Sequence, residues 1–327
     1  GKLTPSLETA NPVRTRLKTV LTADADKEQF LKYNEDSGQI TLELDVSTTN
    51  EIVRKAAGGL ASQDGTNDPD RILGIITNNR LEYEAKTERV DPTDTVVGFY
   101  PAVAYGNDIK VFEDENRSKE KTEFHFLRQQ TKKRKGQPNS CLSDYIAPKE
   151  TGITDYIGFF AVTAGLGIEP IIDEYKKAND DYNVILVKAV ADRLAEAFAE
   201  RMHERVRKEF WGYSDEENFS NEELIAESYS GIRPAPGYPA CPDHTEKRIL
   251  FDLLDVEKNA EIELTESFAM YPASSVSGIY FSHPESRYFR VGNIGEDQVA
   301  DYTQRKLLTK EEVERWLSPN LDYDPRK

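Results

Sequence analysis

The stretch Gly231-Ile232-Arg233-Pro234-Ala235-Pro236-Gly237-Tyr238-Pro239-Ala240-Cys241-Pro242-Asp243-His244-Thr245-Glu246-Lys247 limits the fold more than any other part of the chain. Its four prolines fix φ and remove backbone donors, which excludes helix and central strand. Residues before proline are driven toward β or polyproline II geometry. Gly237 permits a positive φ or a close backbone approach. The pattern therefore predicts a stiff, extended loop that displays Arg233, Tyr238 and His244 and leaves some carbonyls over for a ligand. An arginine on rigid backbone suits a carboxylate, which its planar guanidinium grips with two hydrogen bonds. Tyr238 offers a ring to stack on or a hydroxyl to bond. On local physics alone, such a loop serves equally well to brace two elements of the fold.

Around this loop the chain alternates short strands and helices. Residues 96–102 read as a buried strand ended by Pro101, Asn107-Asp108 as a turn, and 109–112 as its return strand. The continuous apolar run 156–164 reads as a central buried strand. A short helix over 168–178 stops at Asn179. A long helix spans about 183–210, with Val187, Ala191, Leu194, Phe198, Met202, Val206 and Phe210 as its core stripe. Asp192, Glu196 and His203, at spacings of four and seven, share another face beside Arg193 and Arg207. That face reads as a salt-bridged surface or as one turned to a ligand. A metal there would need a paired motif that the sequence lacks. Ser220 with Glu223, and Thr309 with Glu312, form capping boxes that start helices. Helix is also expected over 245–258, and a hairpin joins 276–280 to 288–291. Ser274, Ser275 and Ser277 lack the elbow of a serine nucleophile.

Composition narrows the function classes. A net charge of −17 over 327 residues argues against nucleic-acid and anionic-membrane surfaces. The basic run Lys132-Lys133-Arg134-Lys135 then reads as a solvated loop. Two cysteines are too few for a disulfide scaffold and suit a reduced, cytoplasmic setting. The lone Cys241-x-x-His244 has no second pair, so no metal is expected. No apolar run approaches the ~18 to 20 residues of a membrane span. In the first ~95 residues, strands are expected near 41–46 and 71–77 and a helix near 50–57, with a candidate boundary over 87–94.

Residues 233–247, Arg-Pro-Ala-Pro-Gly-Tyr-Pro-x-x-Pro-x-His-Thr-Glu-Lys, resemble the signature of the activation domain of cobalamin-dependent methionine synthase. Collinear matches fall at Asp155-Tyr156-Ile157-Gly158, Asp181-Tyr182, Ala191-Asp192-Arg193-Leu194-Ala195-Glu196-Ala197-Phe198, His203-Glu204-Arg205-Val206-Arg207, and Leu264-Thr265-Glu266-Ser267-Phe268-Ala269-Met270. The resemblance covers roughly 96–325 and implies an α+β fold: a twisted, mainly antiparallel sheet with long helices in a C-shaped single activation domain. It divides the chain into a divergent region, 1–95, and an S-adenosylmethionine-binding core, 96–327.

The function so implied is reactivation. The domain presents S-adenosylmethionine as methyl donor for reductive methylation of cob(II)alamin, which a separate domain of the same enzyme holds. A flavodoxin-like reductase supplies the electron, and the whole enzyme is a methyltransferase of methionine biosynthesis. No catalytic side chain is needed in the chain itself. The residues implied for the ligand are Arg233, Ala235, Gly237, Tyr238, Tyr288, Phe289 and Glu196, with His244 facing cobalamin. The family's Trp-Thr-Pro-Phe-Phe run, preceded by an aspartate that contacts the ligand's amino group, is not spelled here; Asp45, followed by Val46-Ser47-Thr48, is the aspartate nearest the matching distance upstream. The divergent start motivates a second reading, a docking module for a cobalamin domain or reductase that has lost ligand binding.

Overall fold

The computed structural model describes residues 31–34, 39–43 and 94–325. Its strands are β1 (Leu31–Asn34), β2 (Gln39–Glu43), β3 (Asp94–Tyr105), β4 (Asp108–Phe112), β5 (Glu120–His125), β6 (Asp155–Thr163), β7 (Glu263–Leu264), β8 (Met270–Tyr271) and β9 (Ser275–Tyr280). Its helices are α1 (Glu169–Lys177), α2 (Asp181–Arg205), α3 (Asn221–Ile225), α4 (Glu246–Leu254), α5 (Val256–Asn259), α6 (Glu296–Lys306) and α7 (Lys310–Leu317). Asp45, the 50–57 helix and the 71–77 strand lie outside the described residues.

The long strand β3 is the spine of one antiparallel sheet. One edge pairs with β6 along residues 94–102. The other pairs first with β2, against 94–98, and then with β4, against 102–105. β1 extends β2, β5 extends β4 and β9 extends β6. Pro101 does not end the strand as its sequence suggests. It falls in the stretch 99–101, with which neither β2 nor β4 pairs among the described residues, so there that edge asks no donor of it. Strand β6 is buried at every residue because both faces of the sheet are covered, which is why its sequence does not alternate.

On one face, Val97, Phe99, Phe160, Val162 and Tyr280 pack against Leu194, Phe198 and Met202 of α2, with Val206, Phe210 and Trp211 beyond its end. The expected helical stripe is therefore the core stripe, each large apolar side chain contributing roughly 1.5–3 kcal/mol on burial. On the other face, Val96, Tyr100, Phe159 and Ile279 meet Leu250, Phe251 and Leu254 of α4. The helices α6 and α7 close a smaller core with Leu127, Val291 and Ile294. Both expected capping boxes form, at Ser220–Glu223 and Thr309–Glu312. Asn179 ends the α1 turn in left-handed geometry, φ +54°. Both cysteines are buried and unpaired. No helix among the described residues is long and apolar enough to cross a membrane.

Two further expectations change. Residues 288–291 form no strand, so the 276–291 hairpin does not exist. The free edge of β9 is taken instead by the proline loop, through Ile232 paired with Phe281 and Ile279 N–H donating to Pro234 O at 2.9 Å. The polar face of α2 is likewise not uniformly solvated. Asp192 and Glu196 are exposed, but His203 and Arg207 are fully buried because the chain after the helix folds back over them. Arg207 pairs with Glu217, not with the acidic residues of its own helix.

Candidate ligand groove

The proline loop owes its shape to three sets of restraints. Ile232 and Pro234 are bonded to β9. Two tight turns follow, with Tyr238 N–H donating to Ala235 O at 3.2 Å and Cys241 N–H to Tyr238 O at 2.9 Å. Gly237, at φ +91°, donates to Cys241 O at 2.7 Å, and a Cβ added there would lie 2.3 Å from the His244 ring. Only glycine fits that contact. At the far end, Asp243 accepts from Tyr302 Oη and Lys306 Nζ, both at 2.8 Å, and Lys306 also reaches Glu246 at 2.6 Å. The carbonyls of Ile232, Pro234, Ala235, Tyr238, Pro239 and Cys241 accept from backbone N–H groups, whereas those of Arg233, Pro236 and Gly237 have no donor among the described residues, so backbone as well as side chains is left to face a ligand.

Those side chains converge. Glu196, Arg233, Ala235, Tyr238, Tyr288 and Phe289 line one groove of about 500 Å³ between the loop, α2 and the end of β9. Tyr238 stands at its rim, 63% exposed, and Tyr288 is 39% exposed. Gly237 shapes the loop without lining the groove, and His244 sits behind it against Gly237. Burial and the Lys247 charge lower the His244 pKa, and its buried Nδ1 has no partner among the described residues. Sequence reasoning passed over Lys247, Met270 and Arg290 as groove residues. Lys247 closes the signature motif, which was its available signal. Ser277 lies on β9 with a buried Oγ that has no partner among the described residues.

Arg233 is the best-held group in the groove. Its backbone N–H donates to Tyr288 Oη at 3.0 Å. Its Nη2 donates to Glu200 Oε2 at 2.5 Å, and its Nη1 lies 3.1 Å from Tyr229 Oη and 3.2 Å from His203 Nδ1. Burial, the largest single influence, opposes the guanidinium charge, but Glu200, Tyr229 and Tyr288 together outweigh it and raise the pKa. Nε has no partner among the described residues, leaving an Nε–Nη2 edge with the spacing of a carboxylate. Burial raises the Tyr288 pKa as well, so its hydroxyl stays protonated.

His203 is stacked on Tyr280, with ring centroids 5.2 Å apart, and faces Tyr213 Oη at 3.4 Å. Burial first, then the charges of Arg207 and Arg233, hold its pKa well below the ordinary imidazole value. It is neutral in the fold and accepts from Arg233. The unfolded chain takes up a proton on this residue below about pH 6.5 and the folded chain does not, so its contribution to stability is full above that value and lost as pH falls. The stability difference between wild type and His203→Gln should be constant above pH 7.5. It should shrink by at most roughly 1.4 kcal/mol per pH unit below 6.5. Denaturant titration across this range tests it; a gap that ignores pH would mean that His203 titrates alike in the folded and unfolded chain, and a gap that widens as pH falls would mean that it is charged in the fold.

The family model described as the vitamin B12 dependent methionine synthase activation domain matches residues 77–307. The chain is also similar to the crystal structure of a MetH reactivation domain bound to AdoHcy. The two share 45% identity and superpose with a TM-score of 0.76, over 92% of this chain and 94% of that one. The antiparallel α+β architecture, the proline loop and a family match over more than half its length place the same conclusion on independent grounds: the chain belongs to the vitamin B12 dependent methionine synthase activation-domain family.

Proposed function

We propose that the groove binds S-adenosylmethionine and presents its methyl group to a cobalamin held by a separate domain. The observation that carries this reading is the convergence of Arg233, Tyr238, Tyr288 and Glu196 on one groove, with an open guanidinium edge at its base. The likeness to a reactivation domain bound to AdoHcy supports it. Arg233 grips the methionine carboxylate. The faces of Tyr238 and Tyr288 attract the sulfonium charge. Glu196, exposed at the groove wall, favours a cationic ligand, and Ala235 and Phe289 shape the space for the rest of it. Asp45 remains the proposed contact for the amino group.

Cobalamin, when docked, supplies the methyl-accepting cobalt after one-electron reduction. This chain contributes positioning, which needs no proton transfer by its side chains and can lower a barrier by several kcal/mol. His244, behind the loop, is assigned to the cobalamin side. We assign the electron to a flavodoxin-like donor and the protein to the cytoplasm, where its two unpaired thiols would stay reduced.

Calorimetric titration of the purified chain with S-adenosylmethionine should give saturable binding, with S-adenosylhomocysteine as competitor. A folded chain that gives no saturable heat with either would leave the docking module as the reading to keep.

A further inference from the structure

We propose that Glu200 is a positioning residue that aims Arg233, so that the groove selects its ligand by the α-carboxylate. This rests on reading the groove as the S-adenosylmethionine site. A guanidinium carries five N–H donors in one plane. Nη1 faces two acceptors, Tyr229 Oη at 3.1 Å and His203 Nδ1 at 3.2 Å, and Nη2 faces Glu200 Oε2 at 2.5 Å. Three of the five donors are thereby engaged from behind. The two that remain, Nε–H and one N–H on Nη2, are the number a carboxylate takes side-on.

The three acceptors differ in what they can do. Glu200 is the only charged one and makes the shortest contact. Its other oxygen, Oε1, is buried and has no partner among the described residues, so the carboxylate serves Arg233 alone. Glu200 stands one turn after Glu196 on α2, yet it does not line the groove. It therefore reaches a ligand only through Arg233. Arginine is a rotamer-rich side chain, and ordering it before the ligand arrives removes an entropy cost from binding. The periodicity of α2 places 196, 200 and 203 on one face, but only the returning segment 229–233 shows that this face has an arginine to hold.

The test compares two ligands on three proteins. S-adenosylmethionine and its decarboxylated analogue are titrated into wild type, Glu200→Ala and Glu200→Gln. Glu200→Ala should weaken S-adenosylmethionine roughly tenfold, the scale of one charged hydrogen bond, and leave the decarboxylated analogue within about twofold. Glu200→Gln, which keeps an acceptor oxygen, should restore binding. Equal losses for both ligands, or none, would overturn the proposal, as would a glutamine variant no better than alanine, since that would assign the effect to charge alone. If Glu200→Ala does not fold, Tyr229→Phe removes a different acceptor and must show the same ligand discrimination. A wild type that binds neither ligand would defeat the functional reading of the groove, an outcome distinct from these.

Discussion

Arg233→Ala is expected to weaken S-adenosylmethionine binding by 1.5–3 kcal/mol, roughly 10- to 150-fold, the scale for a hydrogen bond to a charged group. The argument does not depend on net attraction between an arginine and an anion, because Glu200 already neutralises this one. It depends on geometry. The guanidinium is fixed by three acceptors and presents one unoccupied edge to the groove. Alanine removes both donors of that edge and leaves Glu200, 27% exposed, facing the place where a carboxylate should sit. Arg233→Lys should recover little, since an ammonium is a point charge without the planar fork. Titration calorimetry at one fixed ionic strength measures the loss, with thermal unfolding run alongside to establish that the variant is folded. An affinity within twofold of wild type would move the carboxylate elsewhere in the groove and remove Arg233 from the site.

Much of this groove was legible because it is written in local rules. Prolines at 234, 236, 239 and 242 forbid regular structure, and the residues between them had to form a rigid loop. The stripe from Val187 to Phe210 and the run 156–164 report their own environments, one-sided in a helix and two-sided in a strand. Capping boxes are complete within four residues, and both form as written. What could not be read depends on partners far away in the chain. Nothing near Ser286 says that β9 already has the Ile232–Pro234 segment on its edge, so a turn followed by apolar residues looked like a hairpin. His203 looked solvated because helix periodicity describes the helix alone, whereas Tyr213, Tyr229 and Arg233 cover that end of it. Pro101 looked like a stop because a single strand does not reveal where its neighbours fail to pair.

The same folding back creates the second large effect. Arg207→Ala should destabilise the fold by about 3–5 kcal/mol, the cost of stranding one member of a buried ion pair. After α2 the helix widens into a π-helical turn, Val206–Phe210, with Trp211 N–H donating to Val206 O at 2.9 Å. Arg207 lies inside that turn with no exposed side-chain surface, and its partner Glu217 keeps 6%. Three contacts of 2.7–3.0 Å bind the two, and the guanidinium lies 4.1 Å from the centre of the Tyr229 ring. Alanine leaves the Glu217 carboxylate without its cation in a region water hardly reaches, and removes the support under Tyr229, whose Oη accepts from Arg233 Nη1. Thermal unfolding should shift down by roughly 4 to 7 °C for a chain of this size. A paired replacement separates charge from packing. Arg207→Met with Glu217→Leu removes both charges together and should recover most of the stability, because an apolar pair of similar volume avoids the desolvation that the ion pair had to overcome. If Arg207→Ala melts within about 2 °C of wild type, water must enter the site when the arginine leaves, and the pair would then count as surface chemistry of the ~0–1 kcal/mol kind.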